Sequence, residues 1–344
     1  MDKTTVLVTG GTGYMASWLV KDLLELGHDV RVTVRNKKKV SKYQHLLDLA
    51  EEAEGQLSIY EADLLKKGSF NKAVQGSEYV FHTASPFFIS GFKDPYKELV
   101  RPAKEGTINV INAVNEASSV KRVVLTSSAV AIFGDNCDLA GKIAFTERDW
   151  NKTSTVDHNP YSYSKTLAER EAWKMAHSQE RWDLVTINPT LIVGPSLSKR
   201  TDSTSITMIR DLLTGQYKTG VPSLINGTVD VRDVAKAHIL AAFTKQATGR
   251  YLLSGREASM LEMAQIIEKN FPNEHALPKR EVPKAVIWAI APKVGLTRTY
   301  VKRNVGHHTK FDHSKSVAEL QLNYRSLETT LVDQKKQLEA DQYL

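Results

Sequence analysis

Tyr161 and Lys165 form the pair of residues with the clearest chemistry: they lie four positions apart at the start of a predicted helix, in the segment NPYSYSKTLAER. Side chains with this spacing project from one face of a helix. A phenol is a poor acid near neutral pH, because its unperturbed pKa is about 10. A neighbouring ammonium stabilises the phenolate and makes proton donation easier. The pair therefore indicates an acid for carbonyl reduction, whereas Tyr163 has no lysine four residues after it.

Hydroxyl side chains end a predicted strand upstream of this pair. The segment RVVLTSSA finishes with Thr126, Ser127 and Ser128. One of these hydroxyls could hold a substrate oxygen beside the tyrosine. The alternative for each is a local hydrogen bond to the backbone, which serine and threonine often make at the end of a strand.

A glycine-containing turn lies near the start of the chain. Gly10, Gly13 and Ala16 are spaced by three residues between a predicted strand and a predicted helix. Glycine permits positive φ and close backbone approach, and the helix directs its free N–H groups at the turn. Ala16 is small enough to keep helix and strand close. The segment predicts a pyrophosphate site, and a simple turn is the alternative.

Basic residues follow the second predicted strand. Arg35 and Lys39 stand in VTVRNKKK, where NAD-binding folds usually carry an acidic residue for the ribose hydroxyls. A guanidinium there suits the 2′-phosphate of NADP, and a solvated basic loop is the alternative. Asp63 and Leu64 close the third predicted strand, where an adenine ring would lie. Asp63 taken alone could also be an ordinary loop acid.

Strand-like and helix-like segments alternate through the first half of the chain, and a single strand is predicted over DLVTINPTLIVG, residues 183–194. This order predicts an α/β fold, a Rossmann-type doubly wound parallel sheet with helices on both faces. The later segments are helical and basic, and predict a smaller, mostly helical C-terminal substrate-binding lobe.

We predict that two non-contiguous units make up the chain. Residues 1–190 and about 226–254 form the NADP-binding Rossmann domain. Residues about 191–225 and 255–344 form the substrate-binding lobe. The chain therefore crosses back to the sheet once.

Composition narrows the class of protein. The 344 residues carry 46 Lys and Arg against 39 Asp and Glu, a modest excess spread along the chain that argues against nucleic-acid binding. Cys137 is the single cysteine, so internal disulfides and thiolate zinc sites are excluded. Gly306–His308 lacks acidic partners, and no metal is expected. The first residues, MDKTTVLVTGG, lack the pattern of a signal peptide, and the apolar run AVIWAIA is too short for a membrane helix. We expect a soluble cytoplasmic protein.

Seven ordered motifs resemble the extended short-chain dehydrogenase/reductase family. They are VTGGTGYMA, EADL, FHTASP, EGTINV, VVLTSSA, YSYSK and NPTLIVGP. The resemblance is narrower to the branch of dihydroflavonol reductase, cinnamoyl-CoA reductase and yeast carbonyl (methylglyoxal) reductase. It runs from Thr5 to about Ser254 and continues more weakly through KFDHSKSVAELQLNY.

The resemblance assigns roles to individual residues. It implies that Tyr161 is the general acid, and that Lys165 lowers the pKa of this phenol and holds the nicotinamide ribose. Ser128 matches the family's catalytic serine, and Ser127 is the alternative and a cofactor contact. The remaining implied cofactor contacts are Gly10, Thr12, Gly13, Tyr14, Met15, Arg35, Lys39, Asp63, Leu64, Thr83, Ala84, Ser85, Pro189, Leu191, Ile192 and Ser205. The implied substrate pocket contains Phe87, Ser128, Phe133 and Tyr161.

The sequence departs from this branch at one position of the pocket. Phe133 stands five residues after Ser128, where plant flavonoid reductases carry a polar residue. An apolar wall favours small or aryl-alkyl ketones and aldehydes, and plain core packing is the alternative reading of Phe133. We expect an NADPH-dependent carbonyl reductase, a monomer or homodimer that acts on small molecules. The alternatives are a sugar-nucleotide epimerase or dehydratase, and a non-catalytic NADP-sensing protein.

Overall fold

Short runs of valine, isoleucine and leucine form the strands of the computed structural model, which describes residues 3–86, 93–200 and 203–344. The strands are β1 Thr5–Thr9, β2 Asp29–Val34, β3 Gln56–Glu61, β4 Tyr79–His82, β5 Arg122–Thr126, β6 Asp183–Pro189, β7 Leu191–Val193, β8 Val221–Pro222, β9 Ile225–Asp230, β10 Gly249–Leu253, β11 Arg256–Ser259 and β12 Glu281–Val282. Branched apolar side chains favour strands that are buried on both faces.

Seven of these strands form one parallel sheet in the order β10-β6-β5-β4-β1-β2-β3. The predicted α/β class and the doubly wound parallel sheet are confirmed. The strand order reverses between β1 and β4, and ligands bind outside the carboxyl ends of the strands at such a point. The ends of β1, β4 and β5 therefore mark the position of the site.

The prediction of a single strand over residues 183–194 is wrong. Strand β6 ends at Pro189 and pairs with β10, whereas β7 begins at Leu191 and pairs with β9 in a separate three-stranded sheet, β11-β9-β7. Thr190 stands between them, and both its N–H and its hydroxyl donate to the carbonyl of Leu253, at 2.9 and 3.0 Å. The chain leaves the large sheet at this residue. Strands β8 and β12 form a further short parallel pair.

The helices pack on both faces of the large sheet and beyond its end. They are α1 Tyr14–Glu25, α2 Gln44–Glu51, α3 Asn71–Val74, α4 Arg101–Glu116, α5 Pro160–Ala176, α6 Thr204–Leu213, α7 Val231–Phe243, α8 Met260–Asn270, α9 Lys284–Ile290, α10 Arg298–Asn304, α11 Ser314–Leu320 and α12 Leu327–Ala340. Capping side chains begin several of them. Ser259, for example, accepts the N–H of Glu262, whose carboxylate accepts the N–H of Ser259.

Separate apolar clusters cover the two faces of the sheet. Helices α1 and α7 bury residues such as Leu19 and Val234 against one face. Helices α4 and α5 bury Val110 and Ala172 against the other. Helices α6, α8 and α12 share a third cluster. None of the helices in the described part of the chain has the length and apolar character needed to span a membrane.

Candidate active site

The glycine turn between β1 and α1 is built by backbone that leaves no room for side chains. Gly10 has a φ of +65°, and a Cβ placed there would lie 3.0 Å from the Cβ of Ala84. A Cβ on Gly11 would lie 2.6 Å from a methyl group of Val32. No side chain caps the first turn of α1, whose N-cap is Gly13. The turn therefore fits a pyrophosphate, which would accept from N–H groups in the first turn of α1, at the positive end of the helix dipole.

Side-chain hydrogen bonds hold this turn to the neighbouring strands. The Thr9 hydroxyl lies 2.9 Å from Nδ1 of His82 and accepts the N–H of Ala84 at 3.1 Å. Thr83 donates its hydroxyl to the Thr9 carbonyl at 2.5 Å. Thr33 accepts the N–H of Gly10 at 3.0 Å. Burial, with the nearby Lys165 ammonium, lowers the pKa of His82 to about 3, so this ring is a neutral hydrogen-bonding group.

The basic turn after β2 is exposed and is shaped by its own backbone. Arg35 and Lys39 project into solvent. The N–H of Lys37 donates to the carboxylate of Glu61 at 2.9 Å. The backbone carbonyl of Lys37 accepts the Tyr43 hydroxyl at 2.8 Å. The acid at the end of β3 thus binds the turn itself. Two cationic side chains remain at the edge of the site, where a phosphate can reach them.

Helix α5 begins with a residue in the left-handed conformation, Asn159 at φ 58°. Pro160 follows at the first helical position, where its missing N–H has no cost. This start places Tyr161 and Lys165 one helical turn apart, at the carboxyl end of β5. The Tyr161 hydroxyl forms a hydrogen bond with Ser128. The ammonium of Lys165 lies 3.4 Å from the carbonyl oxygen of Thr126.

Burial shifts the protonation of both groups. It raises the pKa of the Tyr161 phenol, and the hydrogen bond from Ser128 opposes this rise. Burial lowers the pKa of Lys165 to about 8, and the negative charge of Glu169 opposes this fall. Tyr161 therefore holds its proton at neutral pH. Lys165 titrates close enough to neutrality to exchange a proton with its surroundings.

The two serines that follow β5 face different partners. Ser128 contacts Tyr161 and accepts the N–H of Val130 at 3.3 Å, which begins a short 3₁₀ turn. Ser127 donates its hydroxyl to Glu169 at 2.5 Å and is buried. Consecutive residues at the end of a strand point to opposite sides, which accounts for the separation. Ser127 as a cofactor contact stays a prediction.

A buried carboxylate lies behind Lys165. Glu169 accepts hydrogen bonds from Ser127, from Arg250 at 2.6 Å, from Asn188 at 2.8 Å and from Thr186 at 3.3 Å. These five residues are called the sheet-side cluster, because every partner of Glu169 in it comes from β6, β10 or the end of β5. A buried charge is tolerated when it is paired and hydrogen-bonded, as Glu169 is here.

A second buried carboxylate lies in front of α5. Asp135 accepts from His158 at 2.8 Å, from Asn159 at 3.0 Å, from Arg303 at 2.5 Å and from Asn304 at 2.7 Å. These five residues are called the helix-cap cluster. Burial raises the pKa of Asp135, but its hydrogen bonds outweigh burial and the net pKa lies below the usual range. The cluster joins α10 to the residues that directly precede α5.

Other predicted cofactor residues lie around the same edge of the sheet. The hydroxyl of Tyr14 donates to the carbonyl of Gly194 at 2.5 Å, and Asp63 accepts the N–H of Leu65 at 2.8 Å. The Leu64 carbonyl accepts the side-chain amide of Asn109 at 2.6 Å. The remaining predicted contacts lie in different elements: Thr12 and Ser85 in the loops after β1 and β4, Pro189 at the end of β6, Leu191 and Ile192 in β7, and Met15 and Ser205 in the first turns of α1 and α6.

The structure describes Phe133 but not Phe87 among the predicted pocket residues. Phe133 stacks on Phe145 with ring centres 4.9 Å apart and meets the edge of Phe311 at 5.2 Å. It belongs to a small apolar cluster that also contains Ala129 and Leu252. Phe87 lies outside the described residues. The wall role of Phe133 stays a prediction.

Sequence reasoning missed several residues that shape the site. Glu169 stands four residues after Lys165, and this repeat of the helical spacing was the one local signal for it. Asp135 and Arg250 carry no signal, because their partners lie far along the chain. Arg200, also missed, donates to the carbonyl of Thr12 in the glycine turn at 3.0 Å.

The fold and the site together define an oxidoreductase that acts on CH–OH groups with a nicotinamide dinucleotide. The fold is a doubly wound parallel sheet, and the site combines a glycine turn at a helix start with a Tyr–Ser–Lys group at the same edge of the sheet. Residues 6–253 match the NAD dependent epimerase/dehydratase family, and the chain belongs to it. The prediction of an extended short-chain dehydrogenase/reductase is confirmed.

Individual relatives lie in the predicted branch. The chain is similar to cinnamoyl-CoA reductase CAD2 of Medicago truncatula, with 41% identity over 273 residues, 78% of this chain and 81% of that protein. It is 39% identical to an anthocyanidin reductase of Vitis vinifera over 282 residues, 78% and 82% of the two chains. The solved structure of Gre2 from Candida albicans with NADPH has a TM-score of 0.81 and 31% identity, and the match covers 98% of this chain and 99% of that one.

Proposed function

We propose that this chain is an NADPH-dependent carbonyl reductase that converts ketones and aldehydes to alcohols. The observation that carries the proposal is the contact between Tyr161 and Ser128 at the carboxyl end of β5, with Lys165 one helical turn away. The reductases among its relatives support the class of reaction. Small or aryl-alkyl carbonyl compounds are the proposed substrates. The half-buried Phe133 stands five residues after Ser128 and is apolar, so it would give the pocket an apolar wall.

NADPH rather than NADH is the proposed dinucleotide. Arg35 and Lys39 would hold the 2′-phosphate, since both are exposed cations after β2. Glu61, an acid beside this turn, is occupied by the N–H of Lys37. The N–H groups of the glycine turn would hold the pyrophosphate. The complex of Gre2 with NADPH is consistent with this choice.

The proposed mechanism divides the work among three side chains. NADPH, when bound, supplies the hydride that adds to the carbonyl carbon. Tyr161 donates its hydroxyl proton to the carbonyl oxygen, and Ser128 donates a hydrogen bond to the same oxygen. Lys165, whose pKa of about 8 keeps it mainly charged at pH 7, stabilises the phenolate and returns a proton to it. Hydride and proton together convert the carbonyl group to an alcohol.

The substrate would lie between the dinucleotide and the late elements of the chain. Residues about 191–225 and 255–344 are proposed as the substrate-binding lobe, beside the Rossmann domain of residues 1–190 and about 226–254. Arg303 and Asn304 of α10 support this, because both donate to Asp135 close to the start of α5. A small-molecule carbonyl compound is the proposed partner.

Replacing Tyr161 by Phe tests the proposal, with Tyr163→Phe as a matched control on the same helix. NADPH consumption is followed over a panel of ketones and aldehydes, and NADPH binding is measured by fluorescence. Tyr161→Phe is expected to lower kcat by about 10²–10⁴-fold and to retain NADPH binding, because a general acid contributes that much. The control is expected to stay active. Near-normal turnover by Tyr161→Phe would contradict the role of this phenol.

Replacing Arg35 by Ala tests the dinucleotide assignment separately. The variant is expected to weaken NADPH binding far more than NADH binding, because only NADPH carries the 2′-phosphate. NADH titrations of the same variant serve as the internal control. Equal losses for the two dinucleotides would remove Arg35 from the phosphate site and would favour an NAD-dependent epimerase or dehydratase.

A further inference from the structure

Glu169 is a fully buried carboxylate, one helical turn after Lys165 on α5. Donors from the large sheet reach both of its oxygens. Thr186 donates to one oxygen, Ser127 and Asn188 donate to the other, and Arg250 donates to both, at 2.6 and 3.4 Å. A carboxylate with so many hydrogen-bond donors is held in a fixed orientation.

Arg250, the ion-pair partner of Glu169, is fixed by further contacts. Its guanidinium donates to the backbone carbonyls of Glu147 at 2.8 Å and Asp149 at 2.5 Å, and lies 4.0 Å from the ring centre of Trp150. These contacts fix the guanidinium of Arg250 beside Glu169. The negative charge of Glu169 also acts on Lys165, whose pKa it raises.

Lys165 and Glu169 line the same small cavity, of about 10 Å³, at the end of β5. The titratable groups that face Lys165 come from several elements. His82 lines the cavity from β4, and Tyr161 lies on α5 itself. His238 from α7 is linked to Lys165 through Thr126. The ring of His238 lies 2.7 Å from the hydroxyl of Thr126, whose carbonyl contacts Lys165. Both histidines are buried and have lowered pKa values. Glu169 is the acidic side chain among the residues that line the cavity.

We propose that Glu169 is a positioning residue: its negative charge acts on the ammonium of Lys165 across the cavity that both side chains line, and its carboxylate binds the hydroxyl of Ser127, so that Ser128 faces Tyr161. The inference rests on the proposed function for the identity of the acid, but the link between Glu169 and Lys165 is measurable without any reaction. Because Glu169 raises the pKa of Lys165, its loss lowers that pKa. A larger fraction of Lys165 is then neutral at pH 7, and phenolate stabilisation is lost.

The test measures the pKa of Lys165 in the protein without dinucleotide, by NMR of ¹³C-labelled lysine side chains, with Lys165→Arg to assign its signal. Glu169→Gln is expected to lower this pKa by about one unit, the smaller end of what a neighbouring charge produces. Glu171→Gln is the matched control: it removes an acid from the same helix whose partners are the surface residues Lys104 and Lys174, and it should leave the signal unchanged.

Two further variants separate positioning from a structural role. Glu169→Asp retains the charge and should recover at least half of the shift. Because Glu169→Gln leaves the buried Arg250 unpaired and can impair folding, the double variant Glu169→Gln/Arg250→Met removes both charges and should still lower the pKa of Lys165.

The pH dependence of kcat gives the second readout. In the active enzyme the alkaline limb, along which activity falls as Lys165 loses its proton, should move to lower pH in Glu169→Gln by the same amount. An unchanged pKa of Lys165 in folded Glu169→Gln and in the double variant would overturn the inference. If the pKa of Lys165 is lowered in Glu169→Gln but the protein reduces no carbonyl compound, the inference is supported and the proposed function is contradicted.

Discussion

Two buried carboxylates hold helix α5, and they differ in what they connect. In the sheet-side cluster, Glu169 joins the interior of the helix to strands β5, β6 and β10. In the helix-cap cluster, Asp135 joins the start of the helix to α10. Both carboxylates are fully buried. The first therefore fixes Lys165 relative to the dinucleotide-binding sheet, and the second fixes the turn before Tyr161 relative to the late helices.

The clusters also differ in how far their cations are removed from water. The side chain of Arg250 is 8% exposed, whereas that of Arg303 is 33% exposed. Asp135 has three further donors within its cluster, all neutral amides or an imidazole. An ion pair closed inside the core depends on both partners, whereas one that reaches solvent tolerates the loss of a partner. The sheet-side cluster should thus be the less tolerant.

Removing the arginine from each cluster tests this difference. Arg250→Met is expected to lower the free energy of unfolding by about 3–5 kcal/mol, because it leaves a buried carboxylate without its counter-charge. Arg303→Met is expected to cost about 1 kcal/mol, since a partly exposed pair contributes little and Asp135 keeps its other donors. Urea unfolding of the two variants, extrapolated linearly to water, measures both values. Equal losses would show that the two clusters are equivalent.

Local spacing was enough to predict the sheet and the chemistry-bearing helix. The glycine turn, the start of α5 and the pair Tyr161 and Lys165 are contained in segments of a few residues, whose backbone requirements can be read from residue type. The break at Thr190 could not be predicted, because only the partners of β6 and β7, which are β10 and β9, separate the two strands. Strand partners depend on contacts that are distant in sequence.

The same limit applies within the site. Ser127 and Ser128 are identical in type, so the sequence left open which hydroxyl faces Tyr161. The structure separates them through Glu169, which engages Ser127. The helix-cap cluster brings Asp135 to Arg303, 168 residues later. No spacing rule connects such residues, because the contact arises only after the late helices have packed.

Acid should weaken the region around the sheet-side cluster first. His238, whose ring contacts Thr126 beside Lys165, is buried, and burial lowers its pKa to about 4 despite its hydrogen bond to the Val234 carbonyl. A lowered native pKa means that the unfolded chain binds more protons below about pH 6.5. The free energy of unfolding should therefore fall as pH drops from about 6.5 towards 4, by at most about 1.4 kcal/mol per unit for this residue.

Replacing His238 by Asn should remove this part of the slope. Urea unfolding at a series of pH values measures it, and His308→Gln, at an exposed histidine, controls for the change in total charge. Asp135, by contrast, has a native pKa below its usual range, so its contribution is kept above about pH 4 and lost only at lower pH. An unchanged slope between pH 6.5 and 4 in His238→Asn would show that His238 does not contribute to the acid sensitivity.

The smallest predicted effect concerns the backbone that starts α5. Asn159 adopts φ 58° and donates its side-chain amide to Asp135 and to the Gly134 carbonyl, each at 3.0 Å. Asn159→Ala and Asn159→Gly both remove these hydrogen bonds, but alanine also has to adopt the left-handed conformation, which costs about 1 kcal/mol more than in glycine. Asn159→Gly should therefore be the more stable variant by about that amount, measured by urea unfolding. If the two variants were equally stable, the left-handed start of α5 would not persist in solution, and the helix-cap cluster could not fix Tyr161 through it.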